Sequence, residues 1–280
     1  MSHPITSMAL FCDFENIALG VRDAKYSKFD IDRVLERLLL KGSIVVKKAY
    51  CDWDRYKEFK GPMHEASFEL IEIPHLRISG KNSADIRLVV DALDLCYTKE
   101  HVDAFVIISG DSDFSPLVSK LRENNKTVIG VGVKSSTSDL LIANCDEFIF
   151  YDDLVRRSSQ KAGQRSRRKT PAKTAPAPEV PKDVAKVESG KNDEERKQQA
   201  FDLVMDTIEA LADERDAGEK IWGSMVKQAL KRRNPGFDES YFGFRSFSDL
   251  LQDAQSHKLV ELEADQKSGG YIIRRVVREE

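Results

Sequence analysis

The sequence predicts an α/β protein, with a central parallel sheet between two layers of helices, joined to a small winged-helix-like α+β domain. Between residues 8 and 154, short apolar runs alternate with segments of helical periodicity. Several runs are almost continuous valine, isoleucine and phenylalanine, as in "AFVIISG" (104–110). Such runs are typical of parallel strands that are buried on both faces. A polar segment then separates this region from a C-terminal block with mainly helical patterns.

The first domain, residues 6–154, repeats strand and helix signals, which favours a series of β–α units. The predicted strands are 8–14, 43–51, 68–76, 104–110, 127–133 and 147–154. The predicted helices are 29–40, one within 54–70, 84–98, 115–124 and 136–145. In the helix at 84–98, helical spacing places one apolar set on one side, namely Ile86, Val89, Val90, Leu93 and Cys96 or Tyr97.

Residues 155–195 are predicted to be a linker. The segment is rich in proline and alanine, and it lacks the large apolar residues that a packed core needs. Between Leu154 and Pro178 it carries eight basic residues and no acidic one, including Arg167 and Arg168. The linker is therefore either a solvated spacer or a segment that attracts RNA phosphates.

The C-terminal block, residues 196–276, is predicted to be a second domain. Helical patterns at 196–214 and 221–233 are followed by an aromatic-rich stretch and a terminal hairpin. Three or four helices with a short hairpin suggest a winged-helix-like module. Its second helix ends in a basic cluster that is a candidate RNA contact, formed by Lys227, Lys231, Arg232 and Arg233.

Composition excludes several classes of protein. No apolar run approaches the roughly 20 residues that span a bilayer, and the N-terminus lacks a signal-peptide pattern. The four cysteines lie far apart without CxxC spacing, which argues against a zinc site or a disulfide framework. A reducing cytoplasm is the simplest setting for such cysteines. The five histidines are scattered, so no serine–histidine or cysteine–histidine arrangement is apparent.

Aspartates follow the predicted strands at one edge of the sheet. Asp13 comes directly after the first strand, and Asp111 and Asp113 follow the strand "AFVIIS". If the first and fourth strands are neighbours at the switch point of a doubly wound sheet, these carboxylates converge. Asp85 begins a helix that can direct it to the same edge, and Asp146 is a weaker fifth candidate.

Converging carboxylates point to a cation. They repel one another, so the pKa of at least one rises unless a positive charge compensates. Hard oxygen ligands suit Mg²⁺ or Mn²⁺. Such an ion activates an attacking water and neutralises charge on a leaving oxygen, which is the chemistry of phosphodiester hydrolysis.

Each aspartate also has a purely structural interpretation. An aspartate before a helix commonly accepts hydrogen bonds from the free N–H groups of the first turn. Asp113, with Pro116 early in the following helix, fits that role. The pattern of residues leaves the metal site and the capping role open.

Four segments resemble the NYN domain, a PIN-like nuclease family, and in particular its LabA-like bacterial branch. They are "LFCDFENI" (10–17), "KNSADIRLVVDAL" (81–93), "ISGDSDFSPLV" (108–118) and "CDEFIFYDDL" (145–154). The resemblance covers about 6–154 and implies a PIN-like α/β/α sandwich with metal-dependent ribonuclease activity. It assigns metal binding to Asp13, Asp85, Asp111 and Asp113, with Asn16 as an accompanying polar residue. The loop before Asp85 departs from the family, whose members often have "KGVD" or "KGADV" there.

The C-terminal block resembles an OST-HTH, or LOTUS, domain. The resemblance lies in "IWGSMVKQALKRRNPGFDESYFGFRSFSDLLQDAQSHKLVEL" and "GGYIIR". It implies a winged-helix-like fold that binds RNA.

Together these patterns favour a cytoplasmic endoribonuclease that uses Mg²⁺ or Mn²⁺, with RNA as its partner and no contact with membranes. Three alternatives remain open. The chain could be an RNA-binding regulator that keeps the acidic cleft without turnover, a metal-dependent phosphoesterase acting on nucleotides or DNA, or an adaptor whose C-terminal domain recruits a protein. The RNA target, the oligomeric state and the arrangement of the domains are not predicted.

Overall fold

The computed structural model describes residues 7–73, 83–156, 185–213, 220–265 and 270–276. The chain divides into two units, Met1–Gln164 and Arg165–Glu280. Each unit has its own buried core.

The first unit is built on a six-stranded parallel sheet in the order β3-β2-β1-β4-β5-β6. The strands are β1 (Ser7–Asp13), β2 (Ser43–Cys51), β3 (Glu69–Glu72), β4 (Ala104–Ile108), β5 (Thr127–Gly132) and β6 (Glu147–Phe150). β1 and β4 are central neighbours, and every residue of both strands is buried. The prediction that the first and fourth strands meet at the switch point is confirmed.

Seven helices of this unit are described. They are α1 (Phe14–Asp23), α2 (Ile31–Leu39), α3 (Lys57–Glu65), α4 (Ser83–Thr98), α5 (Ser115–Glu123), α6 (Asp139–Asn144) and α7 (151–156). A single 3₁₀ turn, Ser112–Phe114, joins β4 to α5.

The pleat of β1 divides its side chains between two cores, because successive residues in a strand point to opposite faces. Met8, Leu10 and Cys12 pack on the side of α1 and α2. Ala9 and Phe11 pack on the side of α4 and α5. Helices therefore cover both faces of the sheet, and this confirms the α/β/α class.

Two local predictions were wrong. The segment 147–154 was predicted as a strand, but only Glu147–Phe150 is extended and α7 follows. Tyr151 and Leu154 are both buried, and their spacing of three residues puts them on one helical face. The apolar pattern continued through the strand into the helix and concealed the boundary.

Helix α4 also differs from its prediction. Leu88, Ala92 and Cys96 face the core, whereas the predicted apolar side includes the exposed residues Ile86 and Val90. The helix has apolar residues on two faces, so periodicity alone could not show which face is buried.

The second unit contains three helices and a three-stranded antiparallel sheet in the order β7-β9-β8. The elements are α8 (Ala185–Asp213), β7 (Ile221–Trp222), α9 (Gly223–Arg233), α10 (Phe247–Ser256), β8 (Val260–Ala264) and β9 (Tyr271–Val276). The predicted terminal hairpin is β8–β9. The sequence missed β7, a two-residue strand placed directly before a helix, and α8 begins earlier than its predicted start at 196.

All four cysteines are buried and unpaired. Among the described helices, none combines the length and the hydropathy that a bilayer span requires.

Candidate functional site

Asp13 lies at the point where β1 ends and α1 begins. Its side chain is only 7% exposed. One carboxylate oxygen, Oδ1, accepts a hydrogen bond from the backbone N–H of Asn16 at 3.3 Å and so caps α1. The other, Oδ2, accepts from the hydroxyl of Ser109 at 3.0 Å. The carboxylate is thereby held at the carboxyl edge of the two central strands.

The end of β4 is tied to the same point. The backbone N–H of Gly110 donates to Oδ1 of Asn16 at 2.9 Å. The N–H of Asp111 donates to the hydroxyl oxygen of Ser109 at 3.2 Å. The N–H of Asp113 donates to Oδ1 of Asp111 at 3.0 Å, so that Asp111 caps the 3₁₀ turn. These bonds join two strand ends and two helix starts into one network.

An acidic cavity of about 240 Å³ opens beside this network. Asp85, in the first turn of α4, faces it together with Asp13 and Asp111. Glu15 and Asp52 add two further carboxylates to the lining. In the described part of the chain, no lysine, arginine or histidine lines this cavity.

The carboxylates perturb one another. Burial, followed by repulsion from Asp85, raises the pKa of Asp13 to about 7, although the hydrogen bonds from Asn16 and Ser109 oppose the shift. Burial, followed by repulsion from Asp111, raises the pKa of Asp85 to about 6. Two acids in one cavity therefore stay partly protonated near neutral pH, as expected for crowded carboxylates without a compensating cation.

The donor chemistry of the cavity fits a divalent cation. Carboxylate oxygens are the hard ligands that Mg²⁺ and Mn²⁺ prefer, and bound positive charge would offset the repulsion between Asp13 and Asp85. Among the described residues, however, no group of three histidine, cysteine, aspartate or glutamate side chains is placed to hold one ion. The side chains would therefore have to move closer together to share a cation.

Four of the predicted site residues line the cavity: Asp13, Asn16, Asp85 and Asp111. Asp113 does not; it is exposed and lines a neighbouring groove, although its charge contributes to the raised pKa of Asp85. The capping role suggested for Asp113 was wrong, because Phe114 occupies the N-cap position of α5 and Asp111 caps the preceding turn.

Asp146, the weaker candidate, lies at the opposite edge of the sheet, just before β6. Its Oδ2 accepts from the N–H of Val128 at 2.8 Å, and its Oδ1 is 3.2 Å from Nε of Arg122. Asp146 therefore serves to join β5, β6 and α5. Because Asp146 precedes β6, sequence order alone could have excluded it from the carboxyl edge of the sheet.

The basic residues predicted to contact RNA fall into two groups. Lys231, Arg232 and Arg233 form the last turn of α9, whereas Nζ of Lys227 is 2.6 Å from a carboxylate oxygen of Glu239. The remaining two, Arg167 and Arg168, lie outside the described residues.

Sequence reasoning missed Ser109, Glu15 and Asp52. Ser109 is fully buried and bridges Asp13 to the backbone of Asp111. The signal for Ser109 was present, because it lies within the "SGDSDF" motif that carries two of the predicted acids. Glu15 had no comparable signal, and its carboxylate is 3.0 Å from Nη1 of Arg55.

Comparison with known proteins finds a family match in each of the two units. Residues 7–152 match the family model of the NYN domain, and residues 202–272 match that of the OST-HTH/LOTUS domain. The uncharacterized protein MJ0482 of Methanocaldococcus jannaschii is 26% identical over 149 residues, which are 52% of this chain and 57% of that protein. This chain therefore spans a little over half the length of its curated relative.

A solved structure is also similar. The protein of unknown function VPA0982 from Vibrio parahaemolyticus aligns with a TM-score of 0.48 and 28% identity. The alignment covers 55% of this chain and 98% of that one.

Proposed function

The chain belongs to the NYN domain family, and from that premise we propose that it is a metal-dependent endoribonuclease that hydrolyses phosphodiester bonds in RNA. NYN domains are PIN-like nucleases and OST-HTH domains bind RNA, so an RNA-related nuclease is the family-level expectation. One observation carries the proposal. Asp13, Asp85 and Asp111 line one cavity at the junction of β1 and β4, and two of them have raised pKa values.

In this proposal Asp13, Asp85 and Asp111 hold Mg²⁺ or Mn²⁺, and Asp113 joins them from the rim. The bound cation supplies polarisation of the phosphate and of the attacking water. The chain's own residues orient the metal ligands and hold the RNA.

Ser109 and Asn16 are positioning residues for Asp13. The hydroxyl of Ser109 and the backbone N–H of Asn16 fix both carboxylate oxygens, so the carboxylate keeps one orientation as RNA enters. Oδ1 of Asn16 accepts a hydrogen bond from the N–H of Gly110. Nδ2 of Asn16 has no hydrogen bond within the described residues. That amide can therefore donate to a phosphate oxygen.

The C-terminal domain is proposed to hold the RNA. The last turn of α9 presents three adjacent basic residues, Lys231, Arg232 and Arg233. Phosphate contacts of this kind add affinity that is independent of sequence and that falls as salt rises. Tethering the two domains raises the concentration of RNA at the acidic cavity.

A second candidate is an RNA-binding regulator with negligible turnover. The observation in its favour is that, among the described side chains, no three potential ligands are placed to hold one ion. In this alternative the acidic network serves the fold alone, and the C-terminal domain performs the function.

The two candidates are separated by RNA cleavage with the full chain. A panel of end-labelled RNAs is incubated with Mg²⁺ or Mn²⁺ and with the wild type, Asp111→Asn or Asp32→Asn. Asp32 is an exposed aspartate on α2, outside the cavity, and it provides the matched control. The nuclease proposal expects Asp111→Asn to lower the cleavage rate by at least about 100-fold, because it removes a charge that holds the cation.

RNA binding by Asp111→Asn should stay within about threefold of the wild type, because phosphate contacts elsewhere supply the affinity. Equal cleavage by Asp111→Asn and the wild type would refute the site assignment. Binding without cleavage of any RNA by the wild type would favour the regulator.

A further inference from the structure

Helix α4 has an exposed apolar stripe next to its core-facing side, and Leu93 of this stripe also packs against the core. Ile86 is 62% exposed, Val90 55% and Tyr97 61%, and the half-buried Leu93 lies between them. These four residues, called here the α4 stripe, follow one another at intervals of four, three and four residues. That spacing keeps them on one face of the helix over about 16 Å.

A groove of about 740 Å³ runs along the N-terminal half of the stripe. Ile86, Val89 and Val90 form one wall. Pro116 of α5 and Leu140 of α6 stand on the other side, and Leu140 is itself 58% exposed. Because Ile86 and Val90 belong to both, stripe and groove form one continuous apolar surface, unlike scattered single apolar residues.

Two opposite charges lie beside the stripe. Arg87 and Asp94 lie on the same flank, seven residues apart. Nε of Arg87 donates to Asp91 within the helix, which leaves its terminal nitrogens for another acceptor. The carboxylate of exposed Asp94 has no side-chain partner within the described residues.

We propose that the α4 stripe binds the same stripe of a second copy of this chain, with the two helices antiparallel about a two-fold axis. This arrangement brings Ile86 against the partner's Tyr97, and Val90 against the partner's Leu93, so all four apolar residues are covered at once. Isologous packing of this kind requires a self-complementary surface.

The same arrangement pairs the charges. In antiparallel helices the same flank meets itself, so Arg87 lies beside the partner's Asp94 and Asp94 beside the partner's Arg87. In a parallel two-fold arrangement this flank would instead face the partner's opposite flank, and Arg87 and Asp94 would not meet. The complementarity of Arg87 and Asp94 therefore favours a second copy of the chain in the antiparallel direction.

The groove receives the ring of the partner's Tyr97. In the antiparallel arrangement this ring reaches the N-terminal half of α4, where Ile86 and Val90 form the groove wall. A tyrosine that fills an apolar groove is a frequent anchor of protein interfaces. Because Asp85 and Asp113 line the same groove, the contact lies next to the acidic residues of the first unit.

The test is sedimentation velocity of the full chain over a range of concentrations. Because the contact consists of a single pair of helices, we expect a weak dimer with a dissociation constant on the order of 10 µM. Val90→Glu should raise it at least about 30-fold, because it places two carboxylates within the apolar contact. The matched control is Leu40→Glu, which adds the same charge at a residue 78% exposed beyond the end of α2 and should leave the dimer intact.

A charge exchange tests the direction of the helices. Arg87→Glu and Asp94→Arg alone should each weaken the dimer about 10-fold, because each brings like charges together. The double variant should return to within about threefold of the wild type. Circular dichroism melting verifies that each variant is folded.

Three results would overturn the proposal: a monomer at all concentrations, a dimer that Val90→Glu leaves unchanged, or a double variant as weak as its two parents. Dissociation by Leu40→Glu would assign the contact to the other side of the sheet and would also overturn it.

Discussion

At the scale of single residues, Asp13 has three structural roles, and these roles have opposing effects on its ionised form. It ends β1, caps α1 and contributes a nearly buried carboxylate to an acidic cavity. Capping is favourable because the carboxylate accepts a free N–H of the helix. Burial beside Asp85 is unfavourable, and the pKa of about 7 shows that the second effect is larger.

Replacing Asp13 with asparagine should therefore stabilise the metal-free protein near neutral pH. The pKa of Asp13 is raised from 3.8 to about 7 in the folded state, so the folded state binds more protons than the unfolded state between these values. The stability associated with this group is fully present below pH 3.8 and is lost as pH rises towards 7. The loss amounts to roughly 2–4 kcal/mol.

Urea denaturation in EDTA from pH 4.5 to 8 measures this effect. The difference in unfolding free energy between Asp13→Asn and wild type should grow with pH. A pH-independent difference would contradict the raised pKa.

The substitution Ser109→Ala tests whether Ser109 holds the carboxylate of Asp13 in place. The substitution removes the hydroxyl that donates to Asp13 and accepts from the backbone of Asp111. Leaving that partly buried N–H without its partner should cost about 1 kcal/mol of stability. Groups that orient a metal ligand typically alter metal affinity or activity 10–100-fold, so the Mn²⁺ concentration for half-maximal cleavage should rise about 10-fold.

Ser119→Ala is the control for this substitution, because its hydroxyl donates to a carbonyl within α5, away from Asp13. A metal dependence identical in Ser109→Ala and wild type would remove Ser109 from the site.

At the scale of elements, the loop after β4 positions Asp111 through close backbone packing. A Cβ added at Gly110 would lie 2.6 Å from the carbonyl oxygen of Ser136 and 3.0 Å from Cα of Thr137. Both atoms belong to backbone, which cannot rotate away. The site therefore requires glycine here for close approach.

Gly110→Ala should shift the loop, destabilise the protein by about 1–3 kcal/mol, and reduce cleavage. The control is Gly61→Ala on α3, where an added Cβ meets no atom within 4 Å and should stabilise the helix by roughly 0.5–1 kcal/mol. Thermal melts and cleavage rates of both variants measure the effect. Wild-type stability and activity in Gly110→Ala would contradict the close packing.

The elements also show how far the sequence can predict this protein. Continuous apolar runs predicted β1 and β4, and the chain position of Asp13 and Asp111 placed them at the carboxyl edge. Asp146 precedes its strand instead of following it, so it lies at the amino edge, where it accepts a hydrogen bond from β5. The inward face of α4 was not predictable, since both faces of that helix are apolar.

At the scale of the whole molecule, the two units have separate cores, and α8 belongs to the second. Ala200, Phe201, Val204 and Ile208 of that helix are buried with residues of α9 and α10. We therefore expect the first unit to cleave RNA and the second unit to bind it.

A chain ending at residue 184 tests this division, since it keeps the sheet and the basic segment but removes α8 and everything after it. Its RNA affinity should fall at least about 10-fold, because tethered contacts are lost. Its single-turnover rate at saturating RNA should change less than about threefold, because the acidic cavity is intact. An unchanged affinity would contradict the proposed role of the second unit.

Cleavage of RNA at the acidic cavity with the help of a divalent cation is tested most directly by metal removal. The full chain is stripped with EDTA, incubated with one labelled RNA, and then supplied with Mg²⁺ or Mn²⁺. We predict no cleavage in EDTA, recovery of cleavage with either ion, and no recovery in Asp111→Asn, although that variant still binds the RNA. Cleavage that persists in EDTA, or that Asp111→Asn performs at the wild-type rate, would contradict the claim.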